Sequence, residues 1–530
     1  GGSSNVGIGT DALGALTSAT GNVAMGEAAG STLGTEANNT YIGHNSGRFM
    51  DDGANNSAIG YQSMMGASTG NDASNNVAIG NQSLKAITDG DTNVAVGYQA
   101  GDELTTGSNN ILIGSGALGQ NTASANNVVV GHGAMGGVDN TNAVQYAVAI
   151  GRDALYGAAA TDTNINGTVA IGYQSGVAIT TGSGNLTIGY QAGSTTTTAS
   201  YNTYIGYQSG VGDGTQHSRN TGIGYQTLTA NTSGEYNTAL GNQAGLQLTT
   251  GGSNTILGAE AMSVGTVANN IVAVGRSAGK NIATDGNAQR NVYVGAYAGE
   301  TVTNGIGQTF LGYYAGQAFD SGNGNSDTTY VGIYAGQAHI GGSDNVALGA
   351  YAHEGKASSE GGNGNTVIGS KAAREVDNID KTVIIGAYAV GTNEATSNID
   401  GTVAIGYEAS KALTSGANQT SIGYQAGMAL TTAGNSTFIG YQAGKTITAG
   451  NNVAIGDRAF ANTDADANAL ASTKNVAIGN FAMGGAINNT VTGAVAIGYY
   501  ALGSAVCSTS ASNGVYIGHH ANKNNGGGQN

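Results

Sequence analysis

Along almost the whole chain, short apolar runs alternate with polar, glycine-rich stretches at a nearly fixed spacing. Asn435-Ser-Thr-Phe-Ile-Gly-Tyr-Gln-Ala-Gly444 recurs as Gln419-Thr-Ser-Ile-Gly-Tyr-Gln-Ala-Gly427, Asn202-Thr-Tyr-Ile-Gly-Tyr-Gln-Ser-Gly210 and Asn93-Val-Ala-Val-Gly-Tyr-Gln-Ala-Gly101. In each copy an aliphatic residue precedes a landmark glycine, and a second β-branched or similar residue stands two positions before that aliphatic. The landmark occurs 29 times, from Gly9 to Gly518; 16 of the 28 intervals are 17 residues and seven are 20. Helical-hairpin repeats need about 33 residues or more. A period near 17 predicts one coil of a β-solenoid, with two short strands and their corners. Period-two alternation ending at glycine reads as a short strand running into a bend.

The other columns sharpen this picture. Three residues after the landmark the side chain is always small: 23 alanines, five serines and Thr227. A column that admits nothing larger is one where another backbone lies close. Four before the landmark, 18 of the 29 copies carry asparagine. Among these, Asn22, Asn93, Asn110, Asn202, Asn237, Asn254, Asn345 and Asn475 are expected to stack from coil to coil as a hydrogen-bonded ladder, at a corner where asparagine also tolerates left-handed conformations.

The column two before the landmark lies on the opposite face of the strand from the aliphatic pair. It reads Tyr41, Leu112, Tyr204, Ile256, Tyr293, Phe310, Tyr330, Ile384, Phe438 and Tyr516, with Thr187 and Ser421 among the few polar members. A strand apolar on both faces is buried on both. If the aliphatic pair fills the coil, these ten residues are the expected core between copies of the chain in a symmetric oligomer. Spacers such as Thr249-Thr-Gly-Gly-Ser-Asn254 are polar and turn-forming, and longer intervals extend them outward. Residues 1–520 read as one uninterrupted array, and 521–530 as a Gly/Asn-rich tail or linker. Stacked about 4.8 Å apart, the coils would give a rod of roughly 135 Å.

Composition narrows the function. The chain has 93 glycines, no proline, no tryptophan and 9% charged residues. Missing proline fits a backbone committed to continuous ladders, and regularly spaced β-branched residues argue against disorder. A net charge of −16, with no cluster of Lys or Arg, argues against nucleic acid as a partner. Cys507 stands alone and forms no internal disulfide. No apolar run is long enough to insert in a membrane. The chain starts Gly1-Gly-Ser-Ser, which reads as part of a longer or processed polypeptide.

The Gly-Tyr-Gln-Ala-Gly runs, the Thr-Thr-Gly spacers and repeats such as Asn452-Val-Ala-Ile-Gly456 resemble the shafts of bacteriophage tail fibres. They also resemble the heads of YadA-like trimeric autotransporter adhesins. The resemblance covers residues 1–520 and implies a left-handed parallel β-roll assembled as a homotrimer. It implies an extracellular structural protein: a virion tail-fibre shaft supporting recognition of a host receptor, a protein or a glycan. The alternatives are a bacterial surface adhesin head and, third, a polysaccharide-degrading tail spike. The coiled-coil stalk and membrane anchor of the adhesins, and the self-cleaving chaperone of the fibres, are absent from this sequence.

The residues suggest neither an enzyme nor a cofactor or metal site. Histidines at 44, 132, 217, 339, 353, 519 and 520 lack the spacing of a zinc motif, and they read as solvated surface. His519 and His520 are expected to point to opposite sides of a strand. Gly361-Gly-Asn-Gly-Asn-Thr366 has Thr366 where a calcium-binding nonapeptide needs aspartate. Glu375, Asp377 and Asp380, with Asp464 and Asp466, are the densest acidic groups and the only candidates for glycoside hydrolysis; they read as solvated loops. Tyrosine recurs just after the landmark, and Tyr173, Tyr190, Tyr207, Tyr424 and Tyr441 are the candidates for an exposed ladder that grips a glycan or protein.

Overall fold

The computed structural model is an all-β parallel β-solenoid, with no α-helix among its described residues. The structure describes residues 2–67, 70–138, 143–157, 165–212, 217–282, 288–319, 327–355, 359–360, 362–376, 379–391, 399–432, 434–461, 471–485, 490–503 and 511–521. Cys507, Asp377, Asp464, Asp466 and residues 522–530 of the expected tail lie outside them, as does Gly361. Two compact units are present, Gly1–Ser263 and Val264–Asn530. The first carries strands from Val6–Ile8 to Thr255–Leu257, the second from Val272–Val274 to Val515–Ile517.

Among the described residues each coil contributes one three-residue strand to the main sheet rather than the expected two. The strands pair parallel and in register, so that Val94, Ala95 and Val96 oppose Ile111, Leu112 and Ile113. The rest of the coil consists of turns, yet these are also bonded from coil to coil. Gly97 N–H donates back to Ile79 O at 2.8 Å, Gln99 N–H to Asn81 O at 2.9 Å, and Leu84 N–H forward to Ala100 O at 3.0 Å. Backbone groups are therefore satisfied without a second strand. In the second unit a short side pair, His339–Ile340 with Ser359–Glu360, is added in the segments between coils.

The landmark glycine is forced by this stacking. Gly241 has φ of 136°, and a Cβ there would lie 2.6 Å from Gly258 O of the next coil. The small column three residues later closes a tight turn, as where Ala29 N–H donates to Gly26 O at 3.3 Å. Ala29, Ala100 and Ala117 are fully buried there.

The structure reverses the expected faces of the strand. The middle residue of each strand points into the coil's own interior, and the flanking aliphatic pair points out. Tyr41, Leu112, Tyr204, Ile256, Tyr293, Phe310, Tyr330, Ile384 and Phe438 are completely buried by their own chain; Tyr516, in the last strand, is half-buried. They form a core within one copy, not between copies. The physical reason is the bend at the landmark glycine. It folds the chain toward the side of the middle residue, and alternation alone does not tell inside from outside when both faces are apolar.

Two further columns complete the interior. Four residues after the landmark stand Met64, Leu84, Leu118, Met135 and Leu228, and seven after it Leu33, Ile87, Leu104, Leu248 and Phe319, all buried. The second column sits next to polar spacers, which hid it among turn residues.

Candidate assembly face and side-chain ladders

The expected asparagine ladder is present and internal. Asn93 Oδ1 accepts from the backbone N–H of Asn110 at 3.0 Å and from its Nδ2 at 2.9 Å, while Asn93 Nδ2 donates to Gly107 O at 2.9 Å. Asn22 accepts from Asn39 N–H at 2.8 Å, Asn202 from Asn220 at 2.9 Å, and Asn237 from Asn254 at 3.1 Å. In the second unit Asn345 accepts from Asn365 N–H at 3.0 Å and Asn475 from Ala494 N–H at 2.9 Å. Each of these amides accepts from a backbone donor of the next coil, and those of Asn22, Asn93, Asn237, Asn345 and Asn475 also donate to a carbonyl across the turn.

With the middle residue turned inward, the outer strand face becomes the apolar surface. Ile8, Met25, Ile59, Ile79, Ile113, Ile150 and Leu240 are exposed in the first unit, and Leu311, Leu348 and Ile455 in the second. The residue before the landmark is Ile, Val, Leu or Met in all 29 copies. Such a row, one aliphatic per coil, far exceeds the scattered single exposures normal on a soluble surface.

Beside this face run two ladders of aromatic rings. Tyr173, Tyr190, Tyr207 and Tyr225 stack at 5.2, 5.1 and 5.4 Å between centroids. Tyr407, Tyr424 and Tyr441 stack at 5.4 and 5.3 Å. Tyr190, Tyr207, Tyr424 and Tyr441 are exposed and Tyr173 half-exposed, as expected of this column. Stacking covers the ring faces within a ladder, so the edges and hydroxyls are what solvent meets. Arg152 stands over Tyr173 at 5.9 Å, and Arg458 over Tyr441 at 5.2 Å. A third ladder, Tyr297, Tyr314, Tyr334 and Tyr351, occupies the next column and was not singled out from sequence. That column elsewhere holds glutamines whose amides bond in series, Gln191 to Gln174 and Gln208 to Gln191, both at 3.1 Å. Recurrent Gly-x-Tyr-Ala, beginning at Gly295, Gly312, Gly332 and Gly349, is the signal that could have revealed it.

Three histidines depart from their expected solvated placement. His217, His339 and His353 are fully buried. His217 Nδ1 meets Tyr204 Oη at 3.2 Å, and the rings of His339 and His353 are 3.9 Å apart. Burial, with His339 beside it, holds His353 well below the usual imidazole pKa. His44, His132 and His519 are exposed. His519 and His520 stack on each other at 4.2 Å rather than diverging, because they follow the strand instead of lying in it.

The described acidic candidates are tied to nearby groups. Glu375 lies 3.2 Å from Arg374 Nη2, and Asp380 Oδ1 accepts from Asn363 N–H. Among the described residues no group of three or more His, Cys, Asp or Glu is placed to hold a metal ion, and no helix is long and apolar enough to cross a membrane. Compared with models of known protein families and with curated proteins, the chain matches none.

Proposed function

We propose that the chain is a structural and interaction protein, the shaft of a bacteriophage tail fibre that holds a host-recognition element away from the particle. Three copies lie side by side as a left-handed homotrimer, with their outer aliphatic rows together on the inside. The carrying observation is the row of exposed and half-exposed aliphatic side chains, one per coil, that includes Ile59, Ile79, Val96, Ile113, Val130 and Ile150. Covering the exposed part of one such side chain contributes roughly 1 kcal/mol. Summed over the coils of one unit, that is on the order of 10 kcal/mol, within the range of about 4–15 kcal/mol that association costs. A second copy of the same rigid, equally spaced row matches it coil for coil, as no irregular partner would. The Gly-Tyr-Gln-Ala-Gly repeats support the fibre reading in particular.

Stiffness follows from the same geometry. Backbone, asparagine and glutamine ladders run coil to coil, so bending must stretch several rows of bonds together. Sedimentation equilibrium of the purified chain, with electron microscopy of the particles, tests the reading. A trimer of uniform rods is expected; a stable monomer with its aliphatic row in water would overturn it. The runner-up, a YadA-like adhesin head, is favoured by the exposed tyrosine ladders on the flank. Binding of bacterial-host or matrix proteins along the chain, with no association with phage particles, would replace the first reading with it.

A further inference from the structure

Two consecutive coils, with landmarks Gly114 and Gly131, interrupt the rows of side chains that run along their flank. Two residues after the landmark, neighbouring coils carry Gln82, Gln99 and Asp153, whereas these two carry Gly116 and Gly133. None of the other 27 coils has glycine at that position. Five residues after the landmark the same two coils have Gly119 and Gly136, between Asp102 and Tyr156 of the flanking coils. Four missing side chains leave a recess of about 290 Å³, close to the lower end of the about 300–1,000 Å³ typical of ligand clefts.

The walls are chemically mixed. Gln99, Asp102, Glu103, Gln120 and His132 line it, and Tyr156 closes one end. The floor is glycine backbone: a Cβ on Gly116 would meet nothing within 4 Å, whereas one on Gly133 would lie 2.8 Å from Asp153 Oδ1 and 3.8 Å from Tyr156 Cδ2. Planar amides, carboxylates and an imidazole offer donors and acceptors in several directions, and the aromatic ring offers an apolar surface beside them. That combination suits a polyhydroxylated ring, whose hydroxyls are polar and whose C–H faces are not. Two adjacent carboxylates and no lysine or arginine in the lining disfavour an anionic ligand.

We propose that this recess binds a single neutral or amine-bearing sugar residue of a surface glycan. The site stands on its own geometry, whether or not the chain is a fibre shaft. Bare backbone admits the ring, Tyr156 takes one face of it, and Asp102, Gln99 and Gln120 take its hydroxyls or amine.

The test uses the full chain, titrated with glucose, galactose, glucosamine and N-acetylglucosamine and followed by ligand-observed NMR, with N-acetylneuraminic acid as the anionic control. The informative variant is Gly116→Gln, which restores the residue the neighbouring coils carry. Gly116 has φ of 65° and Gln99 has 53°, so glutamine fits the same backbone while filling the recess. At least one neutral or amine-bearing sugar is expected to bind, with affinity reduced tenfold or more in Gly116→Gln and also in Tyr156→Ala. Circular dichroism and sedimentation should be unchanged in Gly116→Gln, which separates this site from assembly. The proposal is overturned if no sugar in the panel binds, if Gly116→Gln binds as well as the native chain, or if only calcium ions, added in a parallel titration, perturb the recess.

Discussion

Phe438 and Gly444 share one slot in the interior of a single coil: a Cβ on Gly444 would lie 2.6 Å from Phe438 Cδ1. The same pairing holds wherever a fully buried aromatic stands at the middle of a strand. Tyr41, Tyr204, Tyr293, Phe310 and Tyr330 face Gly47, Gly210, Gly299, Gly316 and Gly336. In some coils with a small middle residue the relation inverts, as in Ala58 with Met64, Ala78 with Leu84 and Ala454 with Phe460; in others both positions are small, as in Ala95 with Gly101, and Leu84 and Leu112 of the neighbouring coils reach the space. The interior is filled either from within the coil or by side chains of the coils beside it, as close packing requires.

Gly444→Ala is therefore expected to cost about 2–4 kcal/mol, from overpacking and from placing a Cβ at φ of 59°. Phe438→Ala should cost about 3–5 kcal/mol through the cavity it leaves. Phe438→Ala combined with Gly444→Leu reproduces the Ala78–Leu84 arrangement and should recover much of the loss. Thermal unfolding of the single and double variants measures the coupling; strict additivity would refute the shared slot.

The asparagine ladder makes a local prediction. Asn93→Ala removes the acceptor of the Asn110 N–H and the donor to Gly107 O. The expected loss is about 1–3 kcal/mol, the cost of leaving buried polar groups unpaired. Amide hydrogen exchange should quicken at Asn110 before it does in distant coils. Unchanged protection there would show that the rung is not formed.

The reversed strand faces separate folding from assembly. Ile59→Asp with Ile79→Asp should leave circular dichroism intact and abolish self-association in sedimentation, because both side chains are exposed in one copy. Phe438→Asp should instead disrupt its own coil, since it places a carboxylate in a fully buried site. Tyr441→Asp, on the exposed ladder, should do neither.

Buried His353 gives a pH dependence of definite sign. Burial lowers its pKa in the folded chain, while in the unfolded chain it titrates near about 6.5. The unfolded state therefore takes up the proton first as pH falls, so stability is present above about 6.5 and is lost on acidification below it. Among the described residues its Nδ1 and Nε2 have no hydrogen-bond partner to retain a proton. His353→Leu, a side chain that Leu84 and Leu228 already place in this column, should raise the melting temperature at pH 5 more than at pH 8. An equal change at both would contradict the assignment.

The repeat made the coil, its parallel stacking, the landmark glycine and the asparagine rungs legible, because each depends on a residue type recurring at one spacing. Gly241 and Asn93 could hardly be anything else once coils lie on top of one another. Sequence did not show which face of the strand turns inward. Tyr204 and its neighbours Thr203 and Ile205 are all compatible with burial, and only the bend at Gly206 decides which of them fills the coil. Nor did it show that the second half of each coil needs no strand, since turns bond from coil to coil as well as strands do. The recess at Gly116 and Gly133 was legible only as two missing glutamines. It became a site once folding set Tyr156 and Asp102 on either side of them, because side chains from four different coils meet only when the chain is wound.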